Sequence, residues 1–96
     1  MAMDQMKALM QLKKAQKELQ KELIEVEAGD GAVVVQVNGE LKVKSIKIDD
    51  GLVDGDYRKL EKWLMAAIHD GMEEAQKMAA EKMKPLMGSL GNLGLQ

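Results

Sequence analysis

His69-Asp70 is the single place in this 96-residue chain where an imidazole adjoins a carboxylate, the pairing that general acid–base catalysis uses most. Consecutive helical residues point about 100° apart, so the two do not face each other, and Glu73 is the expected neighbour of His69. No nucleophile completes a site. Cys and Thr are absent, and the two serines, Ser45 and Ser89, fall in a predicted strand and a C-terminal tail. Asp49, Asp50, Asp54 and Asp56 supply the hard oxygens that Ca²⁺ or Mg²⁺ prefers. Their spacing lacks the D-x-D-x-D-G run and closing Glu of an EF-hand loop, and helix capping in a solvated turn explains them equally well. Gly88, Gly91 and Gly94 recur every third residue, yet they follow a helix instead of joining a strand to one, as a phosphate cradle requires. Neither catalysis, a metal, a cofactor nor a small-molecule substrate is expected.

The lysines carry a different chemistry. Lys7, Lys13, Lys14, Lys17 and Lys21 alternate with Gln5, Gln11, Gln16 and Gln20 near the N-terminus, and Lys77, Lys82 and Lys84 form a second set. Such sets read either as solvated helix faces or as contacts to phosphates, with Gln fixing register. The one arginine is Arg58, so the bidentate reader of guanine is missing from the first set and specificity should be low. Phe is absent and the aromatics are Tyr57 and Trp63 alone, which speaks against stacking on single strands.

Net charge is −2, unlike the basic balance of a generic nucleic-acid binder, but the charge is segregated. Residues 1–23 carry five lysines against three acids, residues 24–56 three against eight, and residues 57–96 six basic residues against five acids. An acidic middle separates two mildly basic ends. A chain of this length makes one domain with a small core, and without Cys no disulfide can support it. Oligomerisation is the expected source of further buried area. No apolar run has signal-peptide or membrane-span length, so a soluble intracellular protein with no membrane partner is expected.

These residues must be positioned by few elements. Residues 4–23 predict a helix capped by Asp4, with a narrow apolar stripe at Met6, Leu9, Leu12, Ala15, Leu19 and Leu23. The alternation Ile24-Glu25-Val26-Glu27, the turn Gly29-Asp30-Gly31 and the run Ala32–Val37 predict two strands. Asn38-Gly39 predicts a type I′ hairpin, with positive φ at both residues. The returning strand, Leu41–Ile48, switches parity between Val43 and Ile46, which predicts a β-bulge near Lys44-Ser45. A second helix is predicted from Tyr57 to Met83, capped by Asp54 or Asp56 and ended by Pro85. Its buried stripe is Leu60, Leu64, Ile68, Met72, Ala75, Ala79 and Met83, and Gly71 weakens it slightly. The nine Met residues concentrate in the helices, where they read as core or as the lining of a peptide groove. Residues 1–87 form the expected domain, and residues 88–96 a flexible Gly/Leu-rich tail. The fold class is α+β: helix, three-stranded antiparallel sheet, helix.

Over residues 5–90 this chain resembles the YbaB/EbfC family of bacterial nucleoid-associated proteins. The most specific part is the hairpin V-x-V-N-G, a spacer, then V-x-x-I-x-I-D, matched by Val35, Val37, Asn38, Gly39, Val43, Ile46, Ile48 and Asp49. In the second helix the family's A-A-x-N-D-A stands here as Ala66-Ala67-Ile68-His69-Asp70-Gly71; the two departures read as packing positions. The resemblance implies a homodimer whose sheets join and whose helices project as arms. It further implies binding of double-stranded DNA with little sequence preference, and a cytoplasmic, nucleoid location. On that basis Lys7, Lys13, Lys14, Lys17, Lys21, Lys77, Lys82 and Lys84 are the expected DNA contacts. Val35, Val37, Ile46 and Ile48 are expected to be buried in the sheet, two of them at the dimer seam. The competing reading is a protein–protein adaptor that grips its partner with Met-rich helical arms, favoured by the acidic pI near 5.4.

Overall fold

Period-two alternation places Ile24, Val26 and Ala28 on one face of a strand and Val33, Val35 and Val37 on the same face of the next. That face is what the rest of the chain covers. The computed structural model describes the backbone of residues 2–94 and the side chains of residues 4–86. Its elements are α1 (Ala2–Lys21), β1 (Leu23–Ala28), β2 (Val33–Asn38), β3 (Val43–Ile48), α2 (Asp50–Val53) and α3 (Tyr57–Gly94). The strands form one antiparallel sheet in the order β1-β2-β3. The molecule is elongated, 62 × 22 × 15 Å along its principal axes, because both long helices outrun the sheet.

Gln36 pairs with Ser45 and Val37 with Val43, leaving Lys44 as the extra residue of a bulge. The bulge does what the parity of the strand demanded: Val43, Ile46 and Ile48 lie opposite Val37, Val35 and Val33, on the face that α3 shares. Yet α3 crosses β1 and β2 and leaves β3 uncovered. Val35 and Val37 are fully buried, whereas Ile46 and Ile48 are 44% and 43% exposed. The expected burial of these two isoleucines therefore does not occur within one chain, because they stand on an edge strand beyond the reach of the helix.

The core packs Val33, Val35 and Val37 against Ala67 and Ala75 of α3, flanked by Ile24, Val26, Leu60, Trp63, Leu64, Ile68 and Met72. The line of α3 nearest the sheet is Ala67, Gly71, Ala75, all buried, and the larger residues of the predicted stripe flank it half-buried. Gly71 is central to that approach: a Cβ there would lie 2.8 Å from Val37 Cγ2. Small residues let the helix axis settle close to the strands, so the glycine serves packing as well as weakening the helix.

Three boundaries differ from expectation. Helix α1 starts at Ala2, so Asp4 lies in its first turn, where a negative charge suits the helix dipole, and does not cap it. Helix α3 passes through Pro85 and runs to Gly94. Pro85 donates no bond to the Glu81 carbonyl, but both residues are exposed and water can take the donor's place. Residues 88–94, expected as flexible tail, continue that helix; their side chains, and Leu95 and Gln96 entirely, lie outside the described residues. Finally, the acidic loop contains the short helix α2. Asp49 caps it by accepting from Leu52 N, Asp54 ends it in the left-handed region, and Asp56 accepts from Lys59 N at the start of α3.

Candidate nucleic-acid interface

On a helix of 3.6 residues per turn, Lys7, Lys13, Lys14, Lys17 and Lys21 fall within an arc of about 120°. All five are exposed. Ala15 and Leu19, the buried residues of α1, lie on the opposite side of the helix. The basic face therefore points away from the body for the same reason the apolar face points in. In the first half of the predicted apolar stripe Met6 and Leu9 are 63% and 59% exposed and Leu12 is half-buried, so none of the three is buried among the described residues. That half of α1 extends past the sheet as an arm.

The second lysine set divides. Lys84 is exposed, and Lys77 is exposed with its Nζ 3.7 Å from Glu74. Lys82 departs from the expected solvent-facing role. Its Nζ lies 2.7 Å from Glu22 and 3.5 Å from Glu18, and its side chain is 27% exposed. Hydrogen bonding to Glu22 holds the Lys82 ammonium above its ordinary pKa, against the opposing effect of burial and with help from the charges of both glutamates. Lys82 thus ties α3 to α1 and is withdrawn from the free basic set. Its partners are 60 and 64 residues away in sequence, a distance at which no local pattern signals them.

The β2–β3 turn meets the C-terminal end of α1. Asn38 is 2% exposed; its Oδ1 accepts from Glu40 N at 2.9 Å and Lys42 N at 3.0 Å, and its Nδ2 donates to Gln20 O at 3.3 Å. Gly39 N donates to Leu19 O at 2.8 Å. Positive φ falls at Leu41, not at Asn38 or Gly39, so the turn is a four-residue loop and not the predicted type I′ pair. Gly39 is required by proximity: a Cβ would lie 2.7 Å from Leu19 O.

The remaining candidates resolve simply. His69 Nε2 is 3.4 Å from Glu73 Oε1 in an exposed pair, the neighbour that helix spacing predicts, and so is not a packing position within the chain. It borders a shallow apolar groove with Leu64, Met65, Ile68 and Met72, in which Met65 is 75% exposed. No group of three metal-ligating side chains gathers among the described residues, nor does any described helix have the length and apolarity to cross a membrane. On the sheet's uncovered face, Ser45 Oγ donates to Gln36 and Gln36 Nε2 to Glu25, a polar ladder across the strands.

Residues 1–90 match the model of the YbaB/EbfC DNA-binding family. A nucleoid-associated protein of Chloroflexus aggregans is 43% identical over 84 residues, covering 86% of this chain and 84% of that protein. One of Syntrophobacter fumaroxidans is 40% identical over 96 residues, covering 98% of this chain and 87% of its own. The crystal structure of the uncharacterized protein HP0035 from Helicobacter pylori shares the fold, with a TM-score of 0.65 at 22% identity over 84% of this chain and 93% of that one. Helix, bulged hairpin and long second helix, matched along nearly their whole length, make this chain a member of the YbaB/EbfC DNA-binding family.

Proposed function

We propose that this protein is a nucleoid-associated homodimer that binds double-stranded DNA with little sequence preference, through the basic face of α1. The observation that carries the reading is the arc of Lys7, Lys13, Lys14, Lys17 and Lys21, exposed and opposite the buried side of its helix. Ammonium groups so arranged neutralise phosphates and release counterions, which supplies affinity without reading bases. Lys77 and Lys84 are exposed on α3 as a second basic set, while Lys82 ties the two helices together.

Dimerisation is supported by the open row Val43, Ile46 and Ile48, 37%, 44% and 43% exposed on the same face as the core valines. A second copy laid on this row would bury it and double the number of lysine arms.

Replacing Lys13, Lys14 and Lys17 together by Gln tests the DNA contact. The variant should remain helical, because Gln is a good helix former, and bind duplex DNA more weakly. Each phosphate left without its lysine should flatten the log–log salt dependence by about 0.9, so three per protomer are readily measured. Parent affinity and parent slope in the triple variant would move the contact off α1. The exposed Met6, Leu9 and Met10 favour the alternative, an adaptor whose arms grip another protein, and a parent that binds no duplex at low salt would turn the reading to it.

A further inference from the structure

Among the described residues, helix α1 buries side chains in its C-terminal half alone. Its C-terminal half buries Ala15 and Leu19 and is ion-paired to Lys82, while on the same side of its N-terminal half Ala8 and Leu12 are only half-buried and Lys7 is exposed. At 1.5 Å per residue the arm from Leu19 to Asp4 is about 22 Å long, so a 10° change at its base moves the tip by about 4 Å. That displacement exceeds the reach of a charge-assisted hydrogen bond. Whatever fixes the base therefore decides where Lys7, near the tip, can meet a phosphate, while Lys13, Lys14 and Lys17, nearer the base, shift by less than about 2 Å.

The base is fixed by Asn38 and Gly39. The last carbonyls of a helix lack donors from within it. Here Gly39 N supplies one to Leu19 O at 2.8 Å and Asn38 Nδ2 another to Gln20 O at 3.3 Å. Asn38 is itself locked, since its Oδ1 accepts from Glu40 N and Lys42 N and its side chain is enclosed. Gly39 allows the contact because any Cβ would strike Leu19 O at 2.7 Å and Leu19 Cα at 2.9 Å. The turn thus caps the helix from outside, joining α1 to the sheet at a set angle.

We infer that Asn38 and Gly39 are positioning residues for DNA binding: they touch no DNA, and they set the angle at which α1 presents its lysines. This rests on the reading that α1 bears the DNA contact. Asn38→Asp is the sharpest probe. It keeps the acceptor for Glu40 N and Lys42 N, and exchanges the donor facing Gln20 O for an oxygen that the carbonyl repels. Gly39→Ala perturbs the same joint without charge and covers the case in which Asn38→Asp fails to fold. The chain has no Cys, so spin labels at Gln11→Cys and Glu61→Cys report the α1–α3 distance cleanly, with labelled protomers diluted into unlabelled ones. The expected result is a broadened or shifted distance distribution and helical content equal to the parent's. Affinity for a duplex should fall roughly tenfold, and the salt slope should flatten by about 0.9 for each phosphate that the displaced lysines no longer reach. A distance distribution like the parent's in both variants would overturn the joint. A changed distribution with unchanged affinity and slope would overturn its role in binding. The distance measurement needs no DNA, so it separates failure of the joint from failure of the lysine assignment, which the triple Gln variant tests independently.

Discussion

Replacing Gly71 by Ala pits helix propensity against packing, and the structure says which wins. The new Cβ would lie 2.8 Å from Val37 Cγ2 and 3.3 Å from Val26 Cγ2. Both neighbours are β-branched, and Val37 is fully buried, so neither can turn aside without strain. Alanine lowers the intrinsic cost of the helix by about 1 kcal/mol relative to glycine. Forcing one extra methyl into a packed core costs about 1–3 kcal/mol, and rigid partners at such short range put this site in the upper half of that range. The net expectation is a loss of about 1–2 kcal/mol, or roughly 4–16 °C in melting temperature for a domain of this size. Val37→Ala alone should cost about 2–3 kcal/mol, from two missing methyls and the cavity they leave. In the double variant the methyl at 71 occupies part of that cavity and the 2.8 Å clash is gone, leaving only the milder contact with Val26. The pair should therefore be less destabilised than the sum of the singles by about 2 kcal/mol. Urea titration at fixed protein concentration measures this, followed by circular dichroism and by the fluorescence of Trp63, which packs against the turn at Gly29. Effects that add to within about 0.5 kcal/mol, or a Gly71→Ala variant more stable than the parent, would refute the close approach of α3 to the sheet.

Other perturbations test the remaining assignments. Ile46→Asp with Ile48→Asp should leave the chain folded, since both side chains are partly exposed in the protomer, yet shift light scattering from dimer to monomer at micromolar concentration; a stable dimer would place the seam elsewhere. Lys82→Met should loosen α1 from α3. Because its folded pKa is raised, the pair's contribution is fully present below the ordinary value of 10.5 and is lost as pH rises through the higher folded value. Melting temperatures of parent and variant should therefore converge above that pH, and a constant difference would show that the ammonium is not the link. Deleting residues 88–96 should change the melting temperature by no more than a few degrees, because the buried core among the described residues ends at Ala75 and the Lys82 clamp precedes the cut; a larger drop would mean that this segment is docked.

Much of the architecture is legible along the chain. Period-two alternation assigns Val33, Val35 and Val37 to one face, and the parity change between Val43 and Ile46 is enough to place a bulge near Lys44-Ser45, which the strand pairing puts at Lys44. These are local properties: each strand's pattern is written in its own residues. The basic arc of α1 is legible for the same reason, since helical spacing alone aligns Lys7, Lys14 and Lys21. Tertiary structure decides what depends on elements meeting. Ile46 and Ile48 carry the same apolar pattern as Val35 and Val37, but α3 covers one strand and not the other, and no period in the sequence encodes where a helix crosses a sheet. Pro85 reads as a helix stop, yet an exposed backbone lets water replace the bond it omits, so the helix continues. Asn38-Gly39 reads as a turn that needs positive φ, whereas its glycine answers to the carbonyl of Leu19, far upstream in the chain. Lys82, indistinguishable in sequence from the lysines of the basic face, is drawn inward because Glu18 and Glu22 arrive beside it only when the two helices pack. Composition and spacing determine which face each element offers, and long-range packing determines which of those faces stay open to a partner.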